Sequence, residues 1–323
     1  MKGKMRKGIV VAASLGVVAI AGIILTIILI NGKDKRGRGE ENPNPTESIS
    51  PTEGATPTDI IAEVTQTPTP TTGIEEPKYH AGDSVLFGKY EQDDNADNGQ
   101  EDIEWIVLKV EEKKVLIISR YAIECMQYHA LAEDISWEKS SVRAWLNEEF
   151  YGGAFSESEK NCVLVTDVEN SDYYLGFDEN GNLLASNTET LLKDIKAHSA
   201  GGVTTNDRVF LLNVDEVNEL FGTNEERATV FTEFAREQFF QNCYKVAEKD
   251  GVTDREMIRD SFEETEKTNG HGYCSWWLRC SGATQSSAGV VYYSGESFFS
   301  ENADSSMLGV RPAMWVELPF ELP

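Results

Sequence analysis

The chain has 323 residues, of which 29 are Lys or Arg and 55 are Asp or Glu, so its formal net charge at pH 7 is −26. Nucleic acids and anionic lipids are bound through clustered basic side chains, and this charge balance therefore argues against both partners. The five cysteines are too few for a dense disulfide framework, and because their number is odd, at least one lacks an intramolecular partner.

Residues 9–30 form the apolar segment IVVAASLGVVAIAGIILTIILI, which contains 22 residues and no charged side chain. At a rise of about 1.5 Å per residue, a helix of this length crosses a hydrocarbon core of roughly 30 Å. Signal peptides usually have an apolar region of roughly 7 to 15 residues. The sequence therefore favours an uncleaved transmembrane helix from Ile9 to Ile30 over a cleaved signal.

The basic residues that flank this segment are nearly balanced in number, and the positive-inside rule alone does not orient it. From Asn42 onwards the chain contains 21 basic and 52 acidic residues. A large acidic domain behind a short basic N-terminus favours a cytoplasmic segment 1–8 and an extracytoplasmic C-terminal domain. The sequence therefore predicts a single-pass membrane protein.

Residues 31–78 are predicted to be a disordered spacer. Within them, residues 42–77 contain seven of the ten prolines and nine threonines. Such a segment has too little apolar surface to offset the entropy of ordering, and Pro-rich chains of this kind are extended and semi-rigid. At ~3.1 Å per residue, residues 42–77 could hold a domain up to roughly 110 Å from the membrane.

Residues 79–323 are predicted to form one α+β domain, which begins with strands. Ser84 starts the strand pattern SVLFGKYEQ, and the loop DDNADNGQED leads to IEWIVLKV and VLIISR, which together predict an antiparallel hairpin. The segment SSVRAWLNEEFY has helical spacing behind a serine N-cap at Ser140 or Ser141. Ser156 and Glu159 form a capping box for a second helix.

The remaining elements alternate between strands and helices. Strands are predicted at CVLVTDV and, after an Asn180-Gly181 turn, at LLAS, and DRVFLLNV leads into a helix at DEVNELF. A long helix is expected from Glu225, and Thr253 with Glu256 predicts the cap of another, so about 224–268 is a helical segment. The apolar face of the long helix contains Phe231, Phe234, Ala235, Phe239 and Cys243. Strands return at SWWLRC, AGVVYYS, ESFFS and GVRPAMWVEL.

Five segments occur in this order in a known family. They are FGKYEQDDNADNGQEDIEWIVLKVEEKKVLIISRYAIEC, SWEKSSVRAWLNEEFYGGAF, DRVFLLNVDEV, SWWLRC and LGVRPAMWV. On these motifs the chain resembles the bacterial domain-of-unknown-function family 6273 over about Ser84 to Val316. The resemblance implies a surface-protein domain and no particular activity.

The Trp-Leu-Arg strand, the Gly-rich hairpin and the final Gly309-Val310-Arg311 pattern also resemble the C-type lectin fold as used by formylglycine-generating, sulfatase-modifying enzymes. This similarity implies antiparallel hairpins, flanking helices and a variable loop surface. It also implies a catalytic alternative, because those enzymes hold copper(I) between two thiolates in this region. Cys274 and Cys280 would be the pair here, although they stand six positions apart rather than five.

Spacing argues against a shared copper site. Six residues along a regular strand separate two side chains by ~20 Å, which is too far for a two-thiolate metal site or a disulfide. Structural roles are therefore favoured for Cys274 and Cys280.

Structural roles are also favoured for the aromatic and basic residues of this segment. Trp276 and Trp277 are adjacent and face opposite sides of a strand. An exposed indole would offer a platform for a sugar ring, but burial of both is favoured. Arg279 and Arg311 are expected to pair with carboxylates inside the fold, because the guanidinium fork suits bidentate ion pairs.

No cofactor is predicted, with calcium and copper as the alternatives. The loop from Asp93 has acidic residues at alternate positions, but its glycine is at the seventh rather than the sixth position of an EF-hand-like loop. A hydrated loop is therefore favoured over a calcium site. The sequence lacks a phosphate-binding glycine loop, a His-Glu-x-x-His motif and a Gly-x-Ser-x-Gly motif.

These observations favour a non-enzymatic binding module that recognises a glycan or a surface protein through its C-terminal loops. The loops SGATQSSAG and SGESFFSENADSSM are rich in Ser, Gly, Asn and aromatic residues, which is typical of recognition loops. The predicted ligand-binding residues are Trp277, Arg279, Gln285, Tyr292, Tyr293, Glu296, Phe298 and Asn302. Two alternatives remain: a copper-dependent oxidase or modifier with catalytic Cys274 and Cys280, and a structural envelope protein.

Overall fold

A computed structural model of the protein describes residues 78–170, 172–177, 183–186, 195–269, 272–297 and 299–317. The predicted membrane anchor and the predicted spacer up to residue 77 lie outside these ranges, as does the predicted Asn180-Gly181 turn. Within the described ranges, no helix combines the length and the apolar character that are needed to cross a bilayer.

The described residues form a mixed α+β fold, as the sequence predicts. The strands are β1 Ser84–Tyr90, β2 Glu101–Glu111, β3 Lys114–Ser119, β4 Glu124–Cys125, β5 Thr166–Val168, β6 Tyr173–Phe177, β7 Leu183–Ser186, β8 Ile195–Ser199, β9 Thr205–Asp207, β10 Thr229–Val230, β11 Tyr273–Cys274, β12 Trp276–Ser281, β13 Ser287–Val291, β14 Phe299–Asn302, β15 Gly309–Val310 and β16 Ala313–Glu317. The α-helices are α1 Ser141–Trp145, α2 Tyr151–Ala154, α3 Glu157–Lys160, α4 Val214–Leu220, α5 Asn224–Arg227, α6 Glu233–Lys249 and α7 Arg255–Asn269. A 3-10 turn at Trp137–Lys139 precedes α1, and a π-helical turn at Leu146–Phe150 joins α1 to α2.

Two larger sheets organise the domain. The first has four antiparallel strands in the order β1-β2-β3-β16, and the second has five strands in the order β14-β13-β12-β15-β4. In the second sheet, β12 and β15 are parallel and the other neighbours are antiparallel. The smaller described sheets pair β5 with β9, β10 with β11, and β6 with β7 and β8.

A two-stranded ribbon runs from one large sheet into the other. β3 pairs with β16 in the first sheet, while β4 pairs with β15 in the second sheet. The break between β15 and β16 falls at Arg311 and Pro312, and proline has no N–H to donate to a strand ladder. The sequence predicted one strand over GVRPAMWVEL, whereas the structure divides it between two sheets.

Buried apolar side chains from both sheets form one core. Its largest fully buried members include Trp105, Ile117, Trp276 and Trp277. Trp276 Nε1 donates to Arg227 O at 3.1 Å, and Trp277 Nε1 donates to Met126 O at 2.8 Å, so each buried indole N–H has a partner. The burial favoured for both tryptophans is confirmed. A second, smaller cluster lies on the helical side and comprises Phe240, Cys243, Tyr244, Ala247, Ile258 and Met307.

Arg279 makes the buried ion pair with a carboxylate that was predicted from the sequence. The residue is 2% exposed, and its Nη2 lies 2.8 Å from Glu216 Oε1 while its Nη1 donates to Glu216 Oε2. Carbonyl oxygens of Leu211 and Glu169 accept further hydrogen bonds from the guanidinium, at 2.9 and 3.0 Å. This bidentate pair joins the centre of β12 to α4.

Several local predictions are confirmed. β2 and β3 form the antiparallel hairpin, and the Ser140 side chain caps α1 by accepting from Arg143 N. Ser156 and Glu159 form the capping box of α3.

The predicted helix from Glu225 is wrong in its first part. Residues 224–227 form only the short helix α5, and Thr229–Val230 then pairs with Tyr273–Cys274 as β10. α6 begins at Glu233, and its N-cap Thr232 accepts a hydrogen bond from Ala235 N. Pairing with a strand about forty residues away in the sequence interrupts the helix, which helical periodicity alone cannot show.

Two further boundaries differ from the predictions. The Asp254 side chain accepts from Met257 N at 3.0 Å at the start of α7, one residue after the predicted cap Thr253. In CVLVTDV, only Thr166–Val168 is a strand, and Val163 makes an isolated bridge to Val316.

The substitution Arg279→Met tests the contribution of the buried pair. Because it removes the hydrogen bonds to Glu216 and leaves the buried carbonyl oxygens of Leu211 and Glu169 without this donor, we expect a loss of about 3 kcal/mol in the free energy of unfolding, measured by chemical denaturation. Lys89→Met is the matched control, since Lys89 pairs with Asp102 where both side chains are more than half exposed. That change should cost less than about 1 kcal/mol, and equal losses for the two variants would contradict this account.

Candidate functional site

The turn between β13 and β14 brings two predicted site residues together. The ring centroids of Tyr292 and Tyr293 lie 4.4 Å apart with an interplanar angle of 46°. Tyr293 is 44% exposed, and Tyr292 is half-buried. The pair therefore offers an aromatic surface at the end of a hairpin.

Hydrogen bonds fix the backbone of this turn. Tyr292 N donates to Glu296 O at 2.7 Å, and Gly295 N donates to Tyr292 O at 2.8 Å. Tyr293 N donates to Ser275 Oγ at 3.1 Å, which ties the turn to the residue between β11 and β12. The tyrosine pair is thus held by contacts from two parts of the chain.

Gly295 packs directly against α5. Its φ is +84°, a conformation that favours glycine, and a Cβ atom at this position would lie 1.9 Å from Asn224 O. Arg227 Nη1 also donates to Gly295 O at 3.4 Å. Only a glycine at position 295 lets the turn that contains Tyr292 and Tyr293, here called the tyrosine turn, pack this closely against α5.

The groups around the tyrosines are polar. Glu296 is exposed, and its Oε2 accepts from Ser294 Oγ at 3.1 Å. Burial raises the pKa of Tyr292, and Tyr293, Glu301 and Glu296 raise it further, so its phenol is protonated at neutral pH. An exposed ring beside a carboxylate and a hydroxyl suits a ligand with both apolar C–H faces and hydroxyl groups.

The other predicted site residues lie elsewhere. Gln285 joins loops, because its Nε2 donates to Ile135 O at 3.3 Å and to Ala200 O at 3.2 Å. Asn302 is exposed at the end of β14. Trp277 and Arg279 are in the core, where a ligand at the surface does not contact them. Phe298 lies outside the described residues.

Cys274 and Cys280, which were considered as a copper(I)-binding pair, have different neighbours. A Cβ atom on Gly309 of β15 would lie 3.4 Å from Cys274 Sγ, and one on Gly289 of β13 would lie 2.5 Å from Cys280 Sγ. β15 and β13 flank β12 on opposite sides. The two sulfurs therefore pack against different strands.

Burial also sets the protonation state of these two thiols. Both residues are buried, and all five cysteines are free thiols. Burial raises the pKa of Cys274 far above its usual range and that of Cys280 to about 12. In the protein without a metal ion, both side chains are therefore neutral thiols at neutral pH. The geometry favours the structural interpretation of both.

Three acidic side chains converge at the loop between β1 and β2, which was considered above as a calcium site. Carboxylate oxygens of Glu91, Asp93 and Glu101 lie within 4.8 Å of one another. Each also accepts a hydrogen bond from the loop backbone: Asn95 N donates to Glu91 and Asp93, and Gln92 N donates to Glu101. Bonds that close the loop thus explain why the three carboxylates converge.

A cavity of about 600 Å³ lies at the bend of the ribbon, and no motif in the sequence predicted it. Its lining includes Arg120 and Tyr121 after β3, Glu225 of α5, and Arg311 between β15 and β16. These residues come from segments up to about 190 positions apart, so no local motif indicates the cavity. The only sequence signal was the buried role expected for Arg311.

Arg311 has no carboxylate partner among the described residues, so the ion pair expected for it is wrong. Its Nε donates to Ser119 O at 2.7 Å, and its Nη1 donates to Arg227 O at 3.2 Å. The guanidinium carbon lies 5.2 Å from the centroid of the Trp276 ring and 5.6 Å from that of Phe221. Carbonyl oxygens and aromatic faces replace the expected carboxylate.

Comparison with known proteins gives a family and no closer relative. A family model described as Domain of unknown function (DUF6273) matches residues 112–318. No curated protein and no solved structure matches the chain. The similarity to C-type lectins and formylglycine-generating enzymes is therefore not found by these comparisons.

Thiol labelling tests the buried state of the cysteines. In the native protein at neutral pH, a disulfide reagent such as DTNB should react first with Cys162, which is the one half-buried cysteine. Cys162→Ser should remove this fast phase, while the unfolded chain should react at all five thiols. Fast native labelling of Cys274 or Cys280 would contradict the buried-thiol account and favour the copper alternative.

The substitution Gly295→Ala tests the packing of the tyrosine turn against α5. It adds both backbone strain and the contact with Asn224, and we expect a loss of about 2 to 3 kcal/mol in the free energy of unfolding. Gly251→Ala is the matched control, because Gly251 has a φ of +81° and open space around its Cβ position. The control should cost about 1 kcal/mol. Equal costs would show that the turn does not depend on its packing against α5.

Proposed function

The chain belongs to the DUF6273 family of domains of unknown function, and from its geometry we propose that it is a membrane-anchored, extracytoplasmic module that binds a glycan. The proposed binding surface is the turn that contains Tyr292, Tyr293 and Glu296. The anchor and the outward orientation rest on the apolar segment 9–30, the charge distribution and the Pro/Thr-rich spacer.

One observation carries the proposal: an exposed tyrosine is held rigidly at the tip of a hairpin. Ordering a ring costs little on binding when the turn beneath it is already fixed by hydrogen bonds and by the close approach of Gly295 to Asn224. The face of such a ring packs against the C–H groups of a sugar, and the exposed Glu296 supplies an acceptor for hydroxyl groups.

A glycan suits this surface better than a protein. Polar residues adjoin the ring, since Ser294 and Glu296 are both exposed beside Tyr293. Protein interfaces usually combine a larger apolar centre with a polar rim. The proposed lectin-like character is supported by the antiparallel hairpins β12–β13 and β13–β14, which present the turn at one end of the second sheet.

The experiment is a glycan array probed with the full-length protein in detergent micelles. We expect a defined set of glycans to bind, and Tyr293→Ala to weaken this binding by about tenfold, since a stacked aromatic ring contributes roughly 1 to 2 kcal/mol. Tyr121→Ala is the matched control, because Tyr121 is 37% exposed and lines the cavity at the bend of the ribbon instead of belonging to the turn. It should leave glycan binding unchanged.

Absence of binding across the array would overturn the proposal and favour the structural envelope protein. Equal binding by wild type and Tyr293→Ala would place any glycan site elsewhere on the chain.

A further inference from the structure

The cavity at the bend of the ribbon has the size of a small-molecule site. Its volume of about 600 Å³ falls within the roughly 300 to 1,000 Å³ that is usual for ligand pockets. Apolar side chains of Ile106, Leu220 and Phe221 form part of its walls. The exposed Glu225 and the buried Arg311 both contribute to its lining.

Arg311 brings to the cavity lining a positive charge that no described carboxylate pairs with. The residue is 1% exposed, and its recorded hydrogen bonds are to two neutral carbonyl oxygens, through Nε and Nη1. Its Nη2 makes no hydrogen bond to a described residue. Burial lowers the pKa of Arg311 to about 10, helped by the charge of Arg120, so the guanidinium is still positive at neutral pH.

Arg279 is a second buried arginine of the same fold, and its charge can be compared with that of Arg311. That residue is equally deep, at 2% exposure, and it has a bidentate carboxylate partner in Glu216. An unpaired buried charge is costly, and buried arginines are usually matched by an anion. Arg311 differs from Arg279 in one respect besides the missing carboxylate: it lines a cavity that a ligand can occupy.

We propose that this cavity binds a small molecule of the amino-acid class, whose carboxylate pairs with the guanidinium of Arg311 and whose ammonium group pairs with Glu225. The planar guanidinium fork matches the two oxygens of a carboxylate. This site is separate from the proposed glycan surface and does not rest on it.

The charged side chains of the cavity lining favour amino acids over other anionic ligands. Glu226 already accepts hydrogen bonds from Gly222 N at 2.6 Å and Thr223 N at 3.2 Å, whereas Glu225 is exposed and has no recorded partner among the described residues. Arg120 is neutralised by Glu104 at 2.7 Å. A lining with free negative charge repels phosphates and other polyanions and attracts an ammonium group. The apolar walls suit an aliphatic or aromatic side chain.

Isothermal titration calorimetry on the full-length protein tests the proposal with a panel of free α-amino acids, their carboxamides and their N-acetyl derivatives. We expect at least one amino acid with an apolar side chain to bind. Its carboxamide, which lacks the carboxylate, should bind on the order of 10- to 100-fold more weakly. The N-acetyl derivative should bind about threefold to fivefold more weakly, because a solvent-exposed ion pair contributes little.

Two variants assign these effects to residues. Arg311→Met should abolish binding, and circular dichroism checks that the variant is folded. Glu225→Gln changes an exposed residue and is expected to leave the fold intact. It should weaken the amino acid about threefold to fivefold without changing the affinity for the N-acetyl derivative. Glu219→Gln, an exposed residue of α4 outside the cavity lining, is the charge-matched control and should change neither.

Failure of the whole panel to bind, or equal affinity for an amino acid and its carboxamide, would overturn the proposal. Tyr293→Ala should leave amino-acid binding unchanged, so this result and the glycan result can fail independently.

Discussion

The passage of a two-stranded ribbon between two sheets is the constraint on which the rest of the structure depends. At the bend, Ser119 N donates to Pro312 O at 2.9 Å, and Ser119 O accepts from Arg311 Nε at 2.7 Å. One hydrogen bond continues the ladder past the proline, and the other replaces the backbone N–H that proline lacks. Both sheets are therefore joined at this buried bend, and Arg120, Tyr121 and Arg311 of the bend also line the cavity.

Arg311 and Arg279 stabilise the structure in different ways. Arg279 joins the centre of the second sheet to α4 through a carboxylate, whereas Arg311 holds the bend through carbonyl oxygens and aromatic rings. The first arrangement is complete in itself. The second leaves charge and hydrogen-bonding capacity directed at a cavity, which is why the same residue type is structural at one position and proposed to bind a ligand at the other.

Local interactions were the most predictable part of the fold. The β2–β3 hairpin, the Ser140 cap and the Ser156–Glu159 capping box were all predicted, because each depends on residues within one short segment. The errors arose where distant segments pair. β10 interrupts a helical pattern because it pairs with β11, and Pro312 divides an apparently continuous strand because its two halves pair with β3 and β4. Of the predicted site, the three residues of one turn come together, while Trp277 and Arg279 lie in the core.

The amino-acid sequence by itself determined the α+β class, the family, and the local caps and turns, and it predicts an anchor and a spacer that lie outside the described residues. These follow from composition, periodicity and short motifs, all of which act within a few residues. Only the tertiary structure decided which side chains meet across the chain. It placed Gly295 against Asn224, separated the surroundings of Cys274 and Cys280, and put Arg311 in the lining of a cavity with no carboxylate partner among the described residues. Such contacts depend on strand pairing and packing between distant segments, and no single segment of sequence contains that information.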